Sequence, residues 1–400
     1  MTHLTPTTRA AVVIGVAVAL AAGLAGAPAR ADAAPVEPRS ASATPPPATS
    51  ATTTTDPTVR PTKSAERAIA AFTSRGGRGA TASPDPASST VPTVTTPAVA
   101  PQTIRTAPST TLYRGGLYVD PSGEAARAAT ALSSQGRTAE ASAARTIAQQ
   151  PVATWLGGWF TDAQLVKKID GTVAAAEKVG ATPVFVTYNI PNRDCGSHSA
   201  GGSADNAAYL RWNQLVASRL AGHRASVIVE PDALALISTC PTQTNGREAT
   251  IAAAVAALAA AGVPAYIDAG NSNWVPPKIM AARLEAAGVD RARGFATNVS
   301  NYYPVENERA YAEQVSEAVG GARYVIDTSR NGRGWKGTWC NAPGAGLGSV
   351  PSVQTGTTKL DALLWIKTPG ASDGQCNGGP AAGQWHASYA VQLVANRAVG

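Results

Sequence analysis

The chain has 400 residues and a formal net charge of +7. Its first 111 residues hold 9 basic and 5 acidic side chains, which leaves +3 for the remainder, and no basic stripe typical of nucleic-acid binding occurs. All eight tryptophans and all four cysteines lie beyond that point, so we expect the folded domain at residues 112–400.

The first 33 residues have the layout of a secretory signal peptide. Arg9 precedes an apolar stretch at residues 10–27, and residues 31–33 read Ala-Asp-Ala, an A-x-A cleavage site. An uncleaved membrane anchor is the alternative, but the stretch is rich in small residues and ends at the cleavage motif. We therefore expect a secreted, extracellular protein with no membrane contact after cleavage.

Residues 34–111 are dominated by proline, threonine, serine and alanine. Such a segment buries too little apolar surface to offset its ordering entropy, which predicts a disordered linker.

Beyond residue 111, short apolar runs alternate with helical patterns. The predicted strands are 117–121, 153–156, 184–188, 227–229, 265–267, 294–297, 324–326 and 362–366. The predicted helices are 123–134, 161–179, 204–221, 248–261, 277–287 and 307–319. About eight such units predict an α/β fold closed into a (β/α) barrel. A doubly wound open sheet is the alternative, which the lack of G-x-G-x-x-G after the first strand disfavours.

Carboxylates and amides gather where the predicted strands end. They are Asp194, Asp232, Asp268, Asn298, Asp327 and Asp373. Strand C-termini form the active face of a barrel, and several carboxylates with only four histidines in the chain favour acid–base chemistry on a sugar. A serine hydrolase is disfavoured because G-x-S-x-G is absent.

Each of the three main candidates also has a structural interpretation. Asp232 fits a general acid whose pKa is raised by burial, or a helix N-cap. Asp194 fits a catalytic group, or an ion pair with its neighbour Arg193. Asp373 precedes a glycine, which by itself is more typical of a turn.

Aromatic and cysteine residues add further candidates. Trp155, Trp274 and Trp339 fall near strand ends or in rim loops and are candidate sugar platforms. The four cysteines allow three pairings, of which the nearest-neighbour one would staple the loops near Asp194 and Asp373. Zinc binding is the alternative, but no C-x-x-C occurs and the histidines are scattered, so no metal is expected.

Ordered motifs across residues 117–395 resemble glycoside hydrolase family 6, the inverting β-1,4-glucanases and cellobiohydrolases. The matching segments are 188–195 (YNIPNRDC), 229–234 (VEPDAL), 267–270 (IDAG), 294–302 (GFATNVSNY), 326–332 (IDTSRNG), 339–341 (WCN), 365–367 (WIK) and 373–374 (DG). The resemblance implies a distorted barrel of about seven to eight parallel strands.

The resemblance also implies residue roles. Asp232 would be the general acid and Asp373 the proposed base, with Asp194 tuning the acid's proton and helping to position water. Tyr188 would press the sugar toward a distorted ring. Substrate contacts would come from Trp155, Asp268, Asn271, Trp274, Asn298, Trp339 and Lys367. The implied disulfides are Cys195–Cys240 and Cys340–Cys376.

Two positions depart from the family pattern. Asn271 stands where the family usually has histidine, and Ala371 where it usually has glutamate. We expect a secreted, monomeric, inverting endo-β-1,4-glucanase that needs no cofactor and acts on cellulose or a related β-glucan. The alternative is a carbohydrate-binding relic of the same fold whose activity has decayed.

Overall fold

The computed structural model describes residues 101–398. The predicted signal peptide and residues 34–100 of the predicted linker lie outside the described residues. The end of that linker, however, forms two short helices, α1 (Pro101–Thr106) and α2 (Ser109–Leu112). They are ordered because Ile104 is buried and its carbonyl accepts a 2.7 Å hydrogen bond from Arg293 Nη1.

One curled sheet forms the centre of the described region, with strand order β1-β2-β3-β4-β5-β6-β8-β7. The strands are β1 (Thr154–Gly157), β2 (Val184–Tyr188), β3 (Ser226–Val229), β4 (Ala265–Asp268), β5 (Gly294–Thr297), β6 (Arg323–Asp327), β7 (Ser352–Val353) and β8 (Leu360–Leu364). All pairings are parallel except that of β7 with β8. The Ala153 N–H donates to the Trp365 carbonyl at 3.0 Å, so the first strand curls back toward β8. The predicted α/β barrel is confirmed, as a half-barrel with seven parallel strands in the described residues.

Helices cover the outer face of this sheet. The remaining ones are α3 (Glu124–Ser134), α4 (Thr138–Ala148), α5 (Asp162–Lys178), α6 (Asn206–Leu220), α7 (Arg247–Ala260), α8 (Pro277–Ala286), α9 (Val305–Ala318) and α10 (Ala387–Ala395). The six predicted helices are confirmed to within two residues at each end, whereas α4 and α10 were not predicted.

The predicted strand at residues 117–121 is wrong. Only one bridge forms there, between Leu117 and Thr182. The chain turns away because the Asp120 carboxylate accepts hydrogen bonds from the backbone N–H and the hydroxyl of Ser122, both at 2.8 Å. This Asx turn leads directly into α3.

Alternation along the strands sorts side chains between two cores. One set points into the barrel, where Val186, Ile228 and Tyr266 pack together on neighbouring strands. The intervening residues, such as Phe185 and Val227, point outward into the larger core beneath the helices. No helix among residues 101–398 combines the length and apolar character needed to cross a membrane.

A buried charged group lies at the end of the barrel where the strands begin. Asp361 accepts two hydrogen bonds from Arg293, at 2.8 and 2.9 Å, and another from Arg323 Nε. The hydroxyls of Tyr266 and Ser109 also donate hydrogen bonds to the Asp361 carboxylate, at 2.7 and 2.8 Å. We call these five residues the basal cluster.

Candidate active site

At the carboxyl end of the sheet, three predicted acids lie close enough for their charges to interact. Asp232 follows β3, Asp194 follows β2, and Asp373 follows β8. Because parallel strands end at the same edge, their loops meet there. The charges of Asp194 and Asp373 both act on Asp232, after burial the largest contributions that raise its pKa.

The pKa of the Asp232 carboxyl is raised, which favours its protonated form. Burial and the two neighbouring negative charges raise its pKa to about 7, while the positive charge of Lys367 opposes them. No group in residues 101–398 donates a hydrogen bond to this carboxyl. The N-cap interpretation does not apply, since the 3₁₀ turn that follows has Leu234 at its N-cap position and no side-chain cap.

The backbone around Asp232 is held in an uncommon conformation. Glu230 and Asp232 have φ values of 50° and 68°, in the left-handed region that L-residues rarely adopt. Two buried carboxylates stabilise this shape. Glu230 accepts from the N–H groups of Asn189 and Ile190, and Asp268 accepts from the N–H of Asp232 at 2.8 Å. Such conformations cost about 1–3 kcal/mol each and concentrate at functional sites.

Asp373 has the opposite electrostatic environment. Burial by itself would raise its pKa, but the charges of Arg330 and Lys367 and hydrogen bonds from Arg330 and Asn341 lower it to about 2. Arg330 Nη1 lies 2.7 Å from Oδ2, and Lys367 Nζ lies 3.1 Å from Oδ1. The carboxylate is therefore ionised at any pH near neutrality, and it is held in place from two sides rather than forming a simple turn.

Asp194 does not pair with Arg193 as the alternative interpretation suggested. Its carboxylate accepts from the Ser199 N–H at 2.7 Å. The Arg193 guanidinium instead donates to the Ser199 and Tyr188 carbonyls and lies 4.6 Å from the centre of the Tyr188 ring. Burial raises the pKa of Asp194 above the ordinary aspartate value despite the Ser199 hydrogen bond. Asp194 is therefore a stronger proton acceptor than Asp373.

A cavity of about 800 Å³ is lined by Trp155, Tyr188 and Lys367 and by chain neighbours of Asp194 and Asp373, although not by the three acids themselves. The Trp155 indole N–H donates to the Ile366 carbonyl at 2.8 Å, and its ring meets that of Tyr188 edge-on at 5.2 Å. These contacts fix the orientation of the indole. The cavity combines an aromatic wall with hydroxyl and ammonium groups, which suits a sugar ring.

Three predicted substrate contacts serve the protein's own backbone instead of lining the cavity. Asn298 is fully buried and binds the backbone of Tyr303 and the Asp327 carbonyl. Asp268 is 1% exposed and accepts from two backbone N–H groups. Asn271 is 4% exposed, and its amide oxygen accepts from the backbone N–H two residues on.

The other two aromatic candidates differ in accessibility. Trp339 is 46% exposed and lies edge-on to His198, with ring centroids 5.7 Å apart. Trp274 is half-buried and packs against the outer core. Trp339 thus offers a free aromatic face, whereas much of Trp274 is already covered.

Two disulfides join the loops around the acids, in the nearest-neighbour pairing. Cys195 pairs with Cys240 and Cys340 with Cys376, with Cα–Cα distances of 6.4 and 6.2 Å. The first follows Asp194 directly, and the second lies next to the Asn341 that binds Asp373. Within residues 101–398 no group of three or more histidine, cysteine or acidic side chains is arranged to hold a metal ion.

Sequence reasoning missed two groups that shape the site. Arg330 is fully buried and sets the charge state of Asp373. Its position three residues after the end of β6 was the available signal. Glu124 lines the cavity from α3, which precedes the first strand of the sheet, and no strand-end pattern marks it.

Comparisons with known proteins agree with this geometry. Endoglucanase A from Cellulomonas fimi is 42% identical over 281 residues, covering 70% of this chain and 61% of that protein, so the chain spans less than two thirds of that relative. Endoglucanase 1 from Streptomyces halstedii is 39% identical over 296 residues, covering 71% of this chain and 90% of that protein.

A solved structure is similar over the same region. The endoglucanase Cel6 from Mycobacterium tuberculosis, in complex with a methyl-cellobiosyl thio-cellobioside, has a TM-score of 0.65 and 42% identity, covering 70% of this chain and 96% of that one. The model of glycosyl hydrolases family 6 matches residues 113–397. The resemblance seen in the sequence is confirmed, and the chain belongs to glycosyl hydrolases family 6.

Proposed function

We propose that this chain is a secreted, inverting endo-β-1,4-glucanase that acts on cellulose or a related β-glucan. One observation carries the proposal, namely two carboxyls in one site whose pKa values are driven apart, to about 7 for Asp232 and about 2 for Asp373. Titratable pairs separated in this way supply one protonated acid and one anion at the same pH. That division is what glycoside hydrolysis requires.

In the proposed reaction Asp232 gives its proton to the glycosidic oxygen as the C–O bond breaks. A water attacks the anomeric carbon from the opposite face, which requires the two carboxyl groups to lie about 6.5–9.5 Å apart. Asp373 orients that water as a permanent anion and balances charge that develops on the sugar. Asp194 is the better acceptor for the proton that the water loses, because base strength follows pKa.

Endo action is supported by the exposure of the surface beside the acids. Trp339 is 46% exposed, and the short loop that carries His198 leaves that side chain at the surface as well. An open groove admits a chain at internal positions. The names of the two endoglucanase relatives and the cellobiose-based ligand of the solved relative support a β-1,4-glucan substrate. Two disulfides and the predicted signal peptide support secretion, since disulfides persist in oxidising compartments.

Two measurements on the purified protein test this function. Incubation with carboxymethyl-cellulose should give an early drop in viscosity relative to the number of reducing ends released. NMR of freshly cleaved cello-oligosaccharides should show the α-anomer first, as inversion demands. A β-anomer product, or sugar release without a viscosity drop, contradicts the proposal. Binding without turnover favours the relic.

A further inference from the structure

Glu124 occupies an unusual position in the cavity wall. It is the first residue of α3, it is half-buried, and it lines the same cavity as Trp155 and Lys367. Within residues 101–398 no group donates a hydrogen bond to its carboxylate and no cation lies within ion-pair distance of it. The ammonium of Lys367 attracts it electrostatically but is held by Asp373, at 3.1 Å, and by the Ser372 carbonyl.

A second acid in the same cavity wall provides the contrast. Asp120 is four residues away, and its carboxylate accepts two hydrogen bonds from Ser122 and pairs with Lys168 at 3.1 Å. Asp120 therefore has a complete structural role in the turn before α3. Glu124 has no such partners among the described residues.

Glu124 is also the acidic residue in the first turn of α3. A carboxylate in the first turn of a helix is favoured in its charged form by the helix dipole, which lowers its pKa. Burial in the cavity wall nevertheless raises the pKa of Glu124, against the opposing charges of Lys367 and Arg127. The cavity thus holds a partly desolvated acceptor to which no group in residues 101–398 donates a hydrogen bond.

Two residues without charge also line the cavity. Ala371 lines it with a methyl group and is 4% exposed, while Trp155 supplies an aromatic face. A glucosyl ring stacked on that face would direct its hydroxyls outward in the plane of the ring. The acceptor on Glu124 and the donor on Lys367 are two of the charged groups that line this cavity.

We propose that Glu124 is a substrate-binding residue, whose carboxylate accepts hydrogen bonds from hydroxyls of the glucosyl unit that stacks on Trp155. Lys367 donates to the same unit, so the two side chains hold it by charge-assisted hydrogen bonds of opposite polarity. The inference rests on the proposed function, because it assumes that the occupant is a glucan.

Calorimetric titration with cellotetraose tests the inference without turnover, if all variants carry Asp232→Asn. Glu124→Ala should weaken binding about tenfold, or about 1.4 kcal/mol. Glu124→Gln, which keeps the size and one neutral acceptor, should weaken it less. Glu285→Ala removes an exposed carboxylate from α8, away from the cavity, and should leave the affinity unchanged.

The outcomes separate this inference from the proposed function. Unchanged affinity in both Glu124 variants overturns the inference. A loss of affinity that is accompanied by a fall in melting temperature also overturns it, because the substitution would then have damaged the fold. If the wild-type chain hydrolyses glucan while Glu124→Ala binds normally, the function stands and the inference fails. If wild type is inactive but Glu124→Ala still weakens binding, the function fails and the inference stands.

Discussion

The two ends of the sheet bury carboxylates for different purposes. At the end where strands begin, Asp361 is matched by Arg293, Arg323 and two hydroxyl groups. At the end where strands finish, no group in residues 101–398 donates a hydrogen bond to the Asp232 carboxyl, which faces two further negative charges and the single opposing charge of Lys367. Both are aspartates on one scaffold, so the supply of partners separates the structural carboxylate from the proposed proton donor.

The pKa values express this difference. Burial raises the pKa of both carboxyls, but the hydrogen bonds and charge of Arg293 overcome it at Asp361 and lower the net value. At Asp232 the pKa rises to about 7. Asp373 shows that location does not decide the pKa, because it lies at the same end of the sheet as Asp232 and yet has cationic neighbours, as Asp361 does in the basal cluster.

Removing the proton donor should produce the largest effect. Asp232→Asn keeps the shape of the side chain but cannot transfer a proton, so kcat on carboxymethyl-cellulose should fall by about 10²–10⁴-fold. Asp290→Asn, at an exposed position, is the matched control and should retain full activity. Reducing-sugar release measures both, and an Asp232→Asn variant with more than a tenth of wild-type activity would disprove the assignment.

Breaking the basal cluster should cost stability instead of chemistry. Asp361→Asn leaves Arg293 and Arg323 with an uncompensated buried charge, which should lower the free energy of unfolding by about 3–5 kcal/mol. Urea denaturation followed by tryptophan fluorescence measures the change. A loss below about 1 kcal/mol would mean that the cluster is solvated, and that the contrast between the two ends is weaker than the structure indicates.

The pH profile of kcat/KM should separate the roles of Asp194 and Asp373. Activity needs Asp232 protonated, so it should fall as the pH rises through about 7. If Asp194 accepts the water's proton, activity should also fall in acid at a pH above the ordinary aspartate value of about 3.9. An acid limb near pH 2 would assign that step to Asp373, whose pKa is about 2.

The smallest expected effect is on the pH dependence of stability. A carboxyl whose folded-state pKa is raised favours the folded state in acid, and that advantage is lost as the pH rises from the unfolded pKa to the folded one. The free energy of unfolding of Asp232→Asn, minus that of wild type, should therefore be larger at pH 8 than at pH 4. For Asp361, whose pKa is lowered, the sign reverses and its contribution is lost as the pH falls. Thermal melts at pH 8 and pH 4 measure the change at Asp232, and melts at pH 4 and about pH 2 measure the change at Asp361, whose window lies below the ordinary aspartate value of about 3.9.

Local patterns in the chain were sufficient for the outline of this protein. Apolar runs of strand length alternating with helical periodicity predicted the parallel sheet, and acids in the segments that follow those runs predicted the end at which Asp194, Asp232 and Asp373 meet. These features depend on neighbours in sequence, so they can be predicted from the sequence alone. The strand predicted near Leu117 failed because the Asx turn at Asp120 diverts the chain before it pairs.

Only the folded arrangement decided what each acid does. The pKa of Asp373 depends on Arg330, 43 residues away, and Asn298 proved to bind backbone across two loops. Glu124 reaches the cavity from a helix outside the strand-end pattern. Electrostatic free energies depend on distance and burial in space, which no spacing along the chain encodes. A proton donor and a structural anion therefore look identical until their partners are known.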